Sequence, residues 1–322
     1  MRMLSNQRLV WCALATLVLM IAEGASTPSA QTGYLHLNPV VEKLSQGKHV
    51  FGVSTSDLSL QNARSLARAD IDYVYLDMEH NPMRFEQMEY FLAGLIDKAA
   101  VLRRGNAQAR PAVFARFVPY GREEALWVIK HGLDIGLMGI LVNNLETKEQ
   151  AENVVRNMRF AQRRDSKIPH PAGLRGSGAG LASWFWGIPA GEYMQRADLW
   201  PHNPQGDLLF WPMIETPLGL QNADAIAQVP GVGGFYLGSG SDLSTSMGLE
   251  SAEHPDARAA FRKILDICRA RNLACGGTVD ARDVAARMKD GYRIINFGGA
   301  NGGLTEENAT ARAAALAAGA MR

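Results

Sequence analysis

An excess of charge of either sign is absent from this 322-residue sequence: 33 Lys and Arg stand against 32 Asp and Glu, a formal net charge of +1. No basic block runs along the chain, which argues against nucleic acid and anionic membrane surfaces as main partners. Cysteine is scarce too. Cys12, Cys268 and Cys275 form no CxxC pair, so zinc-finger, iron–sulfur and disulfide-scaffold readings fall away. Cys268 and Cys275 lie seven residues apart across a helix end and a strand. A bridge there is geometrically demanding, and two buried thiols are expected. No GxGxxG follows the first β-rich run, which weakens a dinucleotide-binding open sheet. What remains is an ordinary globular balance, 47% hydrophobic and 20% charged with 32 Gly and 14 Pro, which excludes disordered and collagen-like chains.

Long apolar runs are also few. The longest is the 14-residue stretch Leu9–Ala22, preceded by Arg2 and Arg8 and followed by Glu23, Gly24, Ala25 and Ser26. A basic start, an apolar centre and a small-residue exit read as a secretory signal within residues 1–30, cleaved somewhere between 24 and 30. The alternative is a membrane anchor over 9–22, although a span needs about 20 apolar residues. The expected location is therefore periplasmic or secreted, with no membrane contact once the signal is removed. Outside the cytoplasm, ATP, coenzyme A and NAD are not expected partners.

Residues 31–322 read as one domain in which strand and helix alternate. β-rich runs fall at 49–55, 73–77, 112–117, 136–142, 208–214, 233–238, 274–279 and 293–297, with amphipathic stretches between them. Nearly continuous apolar strands alternating with helices imply a parallel sheet covered by helices. Eight such units in about 270 residues predict an α/β (β/α)8 TIM barrel; a doubly wound open sheet is the alternative. Pro212 is awkward inside the fifth run, so that strand is expected to begin at Met213 or to bulge. Residues 171–207 form a long Gly- and Pro-punctuated insertion carrying Trp184, Trp186 and Trp200. Such a segment is a lid or an interface, or else a satellite hydrophobic cluster.

Barrel chemistry gathers at the C-terminal ends of strands. Polar residues ending apolar runs are Asp77, Glu79 and His80 after the second, Arg116 after the third, Glu215 after the fifth and Asp242 after the sixth. Glu215 and Asp242 end consecutive strands, about 4.8 Å apart, and can share one hard cation. Two carboxylates with waters suit Mg²⁺ or Mn²⁺ better than zinc, with Co²⁺ a third candidate. Taken singly, Glu215 could instead cap a helix or join a salt bridge, and Asp242 could cap a short helix. His80 is placed for general acid/base work, or is a structural histidine. Arg116, in so apolar a run, needs an anion: a substrate carboxylate, or an internal partner in Asp77 or Glu79.

Four stretches together resemble the HpcH/HpaI aldolase/citrate lyase family in its metal-dependent (class II) pyruvate-aldolase branch. They are YVYLDMEHNP (73–82), PAGLRGSG (171–178), MIETPLGLQNADAIAQVPGVGGFYLGSGSDLSTSMG (213–248) and GGANGG (298–303). The resemblance implies a phosphoenolpyruvate/pyruvate-type barrel and reversible aldol cleavage of a small 2-oxo acid, giving pyruvate or a close relative. It implies Glu215 and Asp242 as metal ligands and His80 as the catalytic histidine. It also implies Arg116 as a holder of the pyruvate moiety and Arg175 with Gly176 as an Arg-Gly loop near the site. Ser241, beside Asp242, is a further candidate substrate contact. A homo-oligomer, a hexamer or trimer of dimers, is implied, with the Ala-rich stretch from Thr305 to Met321 packed on a neighbour.

The chain also departs from the pattern. Met213 stands where the family often has Gln, Gly238–Asp242 is one residue longer than usual, and Lys130 with His131 falls where an aspartate supports the histidine. An insertion, RRGNAQAR (103–110), lengthens the approach to Arg116. The rival readings are an acyl-CoA lyase of the citrate lyase type and a barrel that binds small carboxylates without turnover.

Overall fold

The computed structural model describes residues 34–118, 120–124, 126–178 and 180–322. The expected signal segment, residues 1–30, lies outside the described residues. No helix among the described residues is long and apolar enough to cross a membrane.

Short buried runs, most of them rich in β-branched and aromatic residues, form strands β1 (Val50–Thr55), β2 (Tyr73–Asp77), β3 (Ala112–Arg116), β4 (Gly139–Val142), β5 (Leu209–Pro212), β6 (Gly276–Thr278) and β7 (Ile294–Gly299). They make one sheet in the order β5-β4-β3-β2-β1-β7-β6, and each neighbouring pair is parallel. Helices α1 (Pro39–Ser45), α2 (Leu60–Leu66), α3 (Phe85–Gly94), α4 (Lys98–Arg104), α5 (Tyr120–Glu123), α6 (Trp127–Ile135) and α7 (Lys148–Met158) accompany the first four strands. They are followed by α8 (Gly180–Trp186), α9 (Ala190–Arg196), α10 (Pro217–Ala227), α11 (Ser241–Ser246), α12 (Pro255–Ala270), α13 (Val284–Lys289) and α14 (Glu306–Ala317). The architecture is α/β, a curled seven-stranded parallel sheet consistent with a TIM-like barrel.

The sequence led us to expect eight strands. The run at 233–238 is not one of the seven and leaves only an isolated bridge, Tyr236 to Gly276. Its glycines account for this: Gly234 and Gly238 hold φ of 155° and 58°, and a Cβ on Gly234 would sit 1.7 Å from the Ala274 carbonyl oxygen. The run still bonds to both edges of the sheet. Tyr236 donates its N–H to the Pro212 carbonyl at 3.1 Å, and Leu237 to the Gly276 carbonyl at 2.7 Å. The fifth strand neither begins at Met213 nor bulges; it ends on Pro212, which pairs in register with Val142.

Close approach across the sheet depends on two glycines. A Cβ on Gly52 would lie 2.3 Å from the Tyr73 ring, and one on Gly139 would lie 2.6 Å from the Phe114 ring. With those positions bare, Tyr73, Phe114, Trp211 and Tyr236 fill the interior as one aromatic layer. Trp211 stands 4.8 Å from Phe114 and 5.4 Å from Tyr73 between ring centroids. This floor is what the polar strand ends stand on.

One further expectation is corrected. Cys268 and Cys275 are not free thiols: they form a disulfide with Cα atoms 6.2 Å apart, within normal bridging reach. The turn after α12 brings the strand approach back beside the helix end, which spacing alone did not disclose. The insertion 171–207 packs as a satellite cluster against α6, where Trp186 donates its indole N–H to the Gly136 carbonyl and the Tyr193 hydroxyl bonds the Leu133 carbonyl. Those contacts lie where α6 enters β4, at the N-terminal end of the strand. The last helix, α14, lies on its own chain: Asn308 bonds the Phe297 carbonyl, Arg312 pairs with Asp70, and Arg322 reaches Asp72 at 2.7 Å.

Candidate active site

The C-terminal ends of β2 and β3 stand side by side, with Asp77 in register with Arg116. Arg116 is 8% exposed and grips Asp77 with two bonds, Nε to Oδ1 at 3.2 Å and Nη2 to Oδ2 at 2.9 Å. Its Nη1 lies 3.0 Å from Glu79 Oε2. The internal-partner alternative for Arg116 is thus the observed one. Burial works against its charge, but Tyr75, Asp77 and Glu79 outweigh it and hold the guanidinium above its ordinary range. Two of its five N–H groups hydrogen-bond Asp77, and Nη1 adds the ion pair to Glu79.

The same oxygen of Glu79 lies 3.2 Å from His80 Nε2. Continued strand alternation would point Glu79 away from His80. The strand ends at Asp77, so alternation no longer governs residues 78–80, and Glu79 instead links His80 to Arg116. The His80 side chain is 62% exposed, open to a solvent-borne reactant. Lys130 and His131 do not take the supporting place. Lys130 pairs with Asp134, and the His131 ring packs 5.2 Å from Phe85 and 5.6 Å from Trp127.

Glu215 stands between β5 and α10. Thr216, not Glu215, caps that helix by accepting from Gly219 N–H, with Pro217 starting the first turn. The cap fixes Glu215 at the helix N-terminus, 7% exposed, where its Oε2 accepts the Asn144 N–H at 2.9 Å. Burial raises this carboxyl to about 7; the Asn144 bond opposes the rise, Asp242 and Glu79 add to it, and Arg116 lowers it. Glu215, Asp242, Glu79 and Arg116 therefore share one electrostatic neighbourhood. Asp242 does not cap α11, whose cap position is Gly240 at φ 85°; it lies exposed in the first turn. Ser241 is exposed beside it, its hydroxyl 2.9 Å from Ser239 Oγ and 3.4 Å from Asp242 Oδ2. Among the described residues no three His, Cys, Asp or Glu side chains group closely enough to hold a metal between them.

Arg175 does not join this cluster. Its guanidinium is buried on Asp134 at 2.9 Å and the Tyr193 hydroxyl at 2.8 Å, and lies 4.2 Å from the Phe160 ring centroid. Asp134 is in the last turn of α6, at the opposite end of β4 from the Arg116 level, so Arg175 ties down the insertion. A cavity of about 200 Å³ opens near there, lined by Leu92, Val101, Arg104 and Ala107 together with Trp184 and Trp186. The two insertions, 103–110 and 171–207, meet around it, and none of the candidate site residues lines it.

The HpcH/HpaI aldolase/citrate lyase model matches residues 56–305. The chain is 32% identical over 263 residues to the hydroxypyruvate/pyruvate aldolase of Roseobacter denitrificans, covering 80% of this chain and 90% of that protein. It is 30% identical over 241 residues to the 2-keto-3-deoxy-L-rhamnonate aldolase of Klebsiella pneumoniae, covering 74% of this chain and 78% of that one. Among solved structures, an HpcH/HpaI family protein from Burkholderia cenocepacia superposes with a TM-score of 0.67 at 25% identity, over 87% of this chain and 97% of that chain.

Proposed function

The chain belongs to the HpcH/HpaI aldolase/citrate lyase family and is a carbon–carbon lyase, and from that premise we propose a divalent-metal-dependent aldolase. It cleaves or forms the C3–C4 bond of 4-hydroxy-2-oxo acids, giving pyruvate or a close relative and an aldehyde. The observation that carries this reading is the meeting of Glu215, Asp242, Glu79, Arg116 and His80 at one end of the sheet. Glu215 and Asp242 are the residues that would hold the cation. The fit rests on a buried carboxyl pushed up to about 7 by burial and by two neighbouring carboxylates, a site that a cation would relieve. All-oxygen donors suit Mg²⁺ or Mn²⁺. When bound, the cation supplies Lewis-acid polarisation of the 2-oxo acid.

The chain's own residues supply the rest. Arg116, with two N–H groups on Asp77 and Nη1 against Glu79, keeps N–H groups for a substrate oxygen and faces the negative charge that develops as the bond breaks. With Nε2 held 3.2 Å from Glu79 Oε2, His80 leaves Nδ1 to act as the base. Nδ1 takes the proton of the C4 hydroxyl; C4 becomes the aldehyde carbon, and the C3–C4 electron pair passes to the departing pyruvate half. Ser241 is placed to bond a substrate oxygen at the mouth. Pyruvate release from 4-hydroxy-2-oxo acids tests the reading: it should need Mn²⁺ or Mg²⁺ and vanish in Glu215→Ala. Release that survives chelation and that substitution would sink it.

The run at 233–238, bonded to both β5 and β6, is proposed to close the sheet as the eighth stave of a (β/α)8 barrel. The disulfide supports a working place in an oxidising compartment, periplasmic or secreted. Apolar side chains left open at Leu102 and Trp184, 81% and 64% exposed, support a homo-oligomer, which light scattering would test against a monomeric mass.

A further inference from the structure

The cavity of about 200 Å³ where the two insertions meet has a chemistry of its own. Helix α4 explains why it exists. Asp97, Ala100, Val101 and Arg104 recur at i, i+3, i+4 and i+7 and all line it, so this is the face that α4 turns inward. That face carries two short apolar side chains where a helix packed on a sheet usually carries large ones. No residue of α4 is buried, and the space between it and Val113 and Met138, where β3 and β4 begin, stays open. Trp184, Phe185 and Trp186 of α8 complete the lining, the first two with ring centroids 5.0 Å apart and edge to face. In these apolar surroundings stand two cations that form no ion pair among the described residues. Arg104, partly exposed, spends Nη2 on the Gln108 carbonyl at 2.9 Å, and its Nε is buried with no partner. Arg110 is exposed and also lines the cavity. Asp97 is committed to capping α4 through the Ala100 N–H at 3.1 Å. Burial, and then Arg110, disfavour the Arg104 charge; Asp97 favours it without restoring it to its ordinary range. Such a cation is costly until an anion meets it.

We propose that this cavity is a second binding site, separate from the active site, for a single-ring aromatic monocarboxylate. Its ring lies among Trp184, Phe185 and Trp186, and its carboxylate meets Arg104 and Arg110. Size sets the first limit. An apolar cavity of about 150 Å³ admits benzene, so this one admits one ring with a short acid chain, and it falls below the range of about 300–1,000 Å³ that holds drug-sized ligands. Charge sets the second: two guanidiniums against the one carboxylate of Asp97 leave one negative charge to be supplied. A carboxylate fits a guanidinium in plane and accepts two of its N–H groups. Ring-on-ring contacts favour an aromatic body over an alkyl chain of similar area. None of Glu215, Asp242, Arg116 and His80 lines the cavity, so the site stands whatever reaction the strand ends perform.

Calorimetry with 3-phenylpropionate tests the site on the full chain in Mn²⁺. One molecule should bind per chain. Arg104→Met should weaken binding about ten- to hundredfold, the usual strength of a hydrogen-bonded charge. Should that variant fail to fold, Arg110→Met, at an exposed position, still removes one of the two cations and should weaken binding severalfold. Ala100→Phe fills the cavity from α4 and should abolish binding. The uncharged 3-phenylpropanamide and the straight-chain hexanoate should each bind at least tenfold more weakly than 3-phenylpropionate. Glu215→Ala should bind it as the wild type does, and saturating pyruvate should not displace it. Absence of binding in the wild type overturns the inference, as does binding that Arg110→Met and Ala100→Phe leave unchanged. Displacement by pyruvate, or loss in Glu215→Ala, would place the carboxylate in the active site and overturn it as well. Hexanoate or the amide binding as tightly as 3-phenylpropionate would refute the aromatic or the anionic half of the assignment, respectively.

Discussion

Replacing Glu215 by Gln in metal-free protein should stabilise the fold, and only at neutral and higher pH. Burial, with Asp242 and Glu79 nearby, raises this carboxyl from 4.5 to about 7. At about 1.36 kcal/mol per tenfold, ionising it in the folded state costs about 3 kcal/mol. Below pH 4.5 it is protonated folded or unfolded, and it contributes its full share of stability. As pH rises toward 7 the unfolded chain ionises while the native one resists, so stability is lost across that window and stays low above it. Gln keeps an oxygen for the Asn144 N–H and carries no charge at any pH. Urea unfolding in EDTA should therefore show no difference between Glu215→Gln and wild type near pH 4, and a gain approaching about 3 kcal/mol at pH 8. Mn²⁺ should reverse the order, stabilising the wild type alone. Calorimetry on the wild type should show Mn²⁺ affinity falling about tenfold per pH unit below 7, as protons compete for the same oxygen. A Glu215→Gln protein less stable at pH 8 than the wild type in EDTA would refute the argument, since the carboxylate would then be a net structural asset.

Most strands were legible because each is a short buried run of β-branched or aromatic residues, and the ends at Asp77 and Arg116 fall where such runs turn polar. The run at 233–238 has the same composition, yet its glycines adopt φ values that break the ladder, which residue type alone does not disclose. At the site, Arg116 stood out as a charge in an apolar run, and its pairing with Asp77 and Glu79 was one of two readings weighed from the sequence. The link from Glu79 to His80 has no such signal, because strand alternation would part the two side chains and it ceases to apply where β2 ends at Asp77. Arg175 was misplaced for another reason. Its loop was read by resemblance to an Arg-Gly motif, while its position is set by Asp134, Tyr193 and Phe160, contacts spanning up to 41 residues that no local pattern signals.

The other predictions probe the remaining groups. His80→Ala should lower kcat about 10²–10⁴-fold, the usual yield of a general base. Because that side chain is 62% exposed, its loss should leave Mn²⁺ affinity and melting temperature unchanged, and an unaltered kcat would remove it from the mechanism. Cys268→Ala opens a bridge spanning seven residues and should cost about 2.5 kcal/mol in urea unfolding, with reductant producing a similar loss in the wild type and none in the variant. Glu79→Gln separates two jobs that one carboxylate performs. Arg116 retains its double bond to Asp77, so the fold should hold. His80 loses the charge that orients Nε2, and kcat should fall about ten- to hundredfold with little change in KM. Glu215 loses one of the two carboxylates that raise it. The pH at which Mn²⁺ affinity begins to fall should therefore move below 7. The two readouts are independent, and they separate the possible failures. A normal kcat with a shifted Mn²⁺ profile would mean that Glu79 acts on the metal site alone. A lowered kcat with an unshifted profile would mean that it serves His80 alone. If neither moved, the cluster at the strand ends would not be electrostatically coupled as its geometry requires.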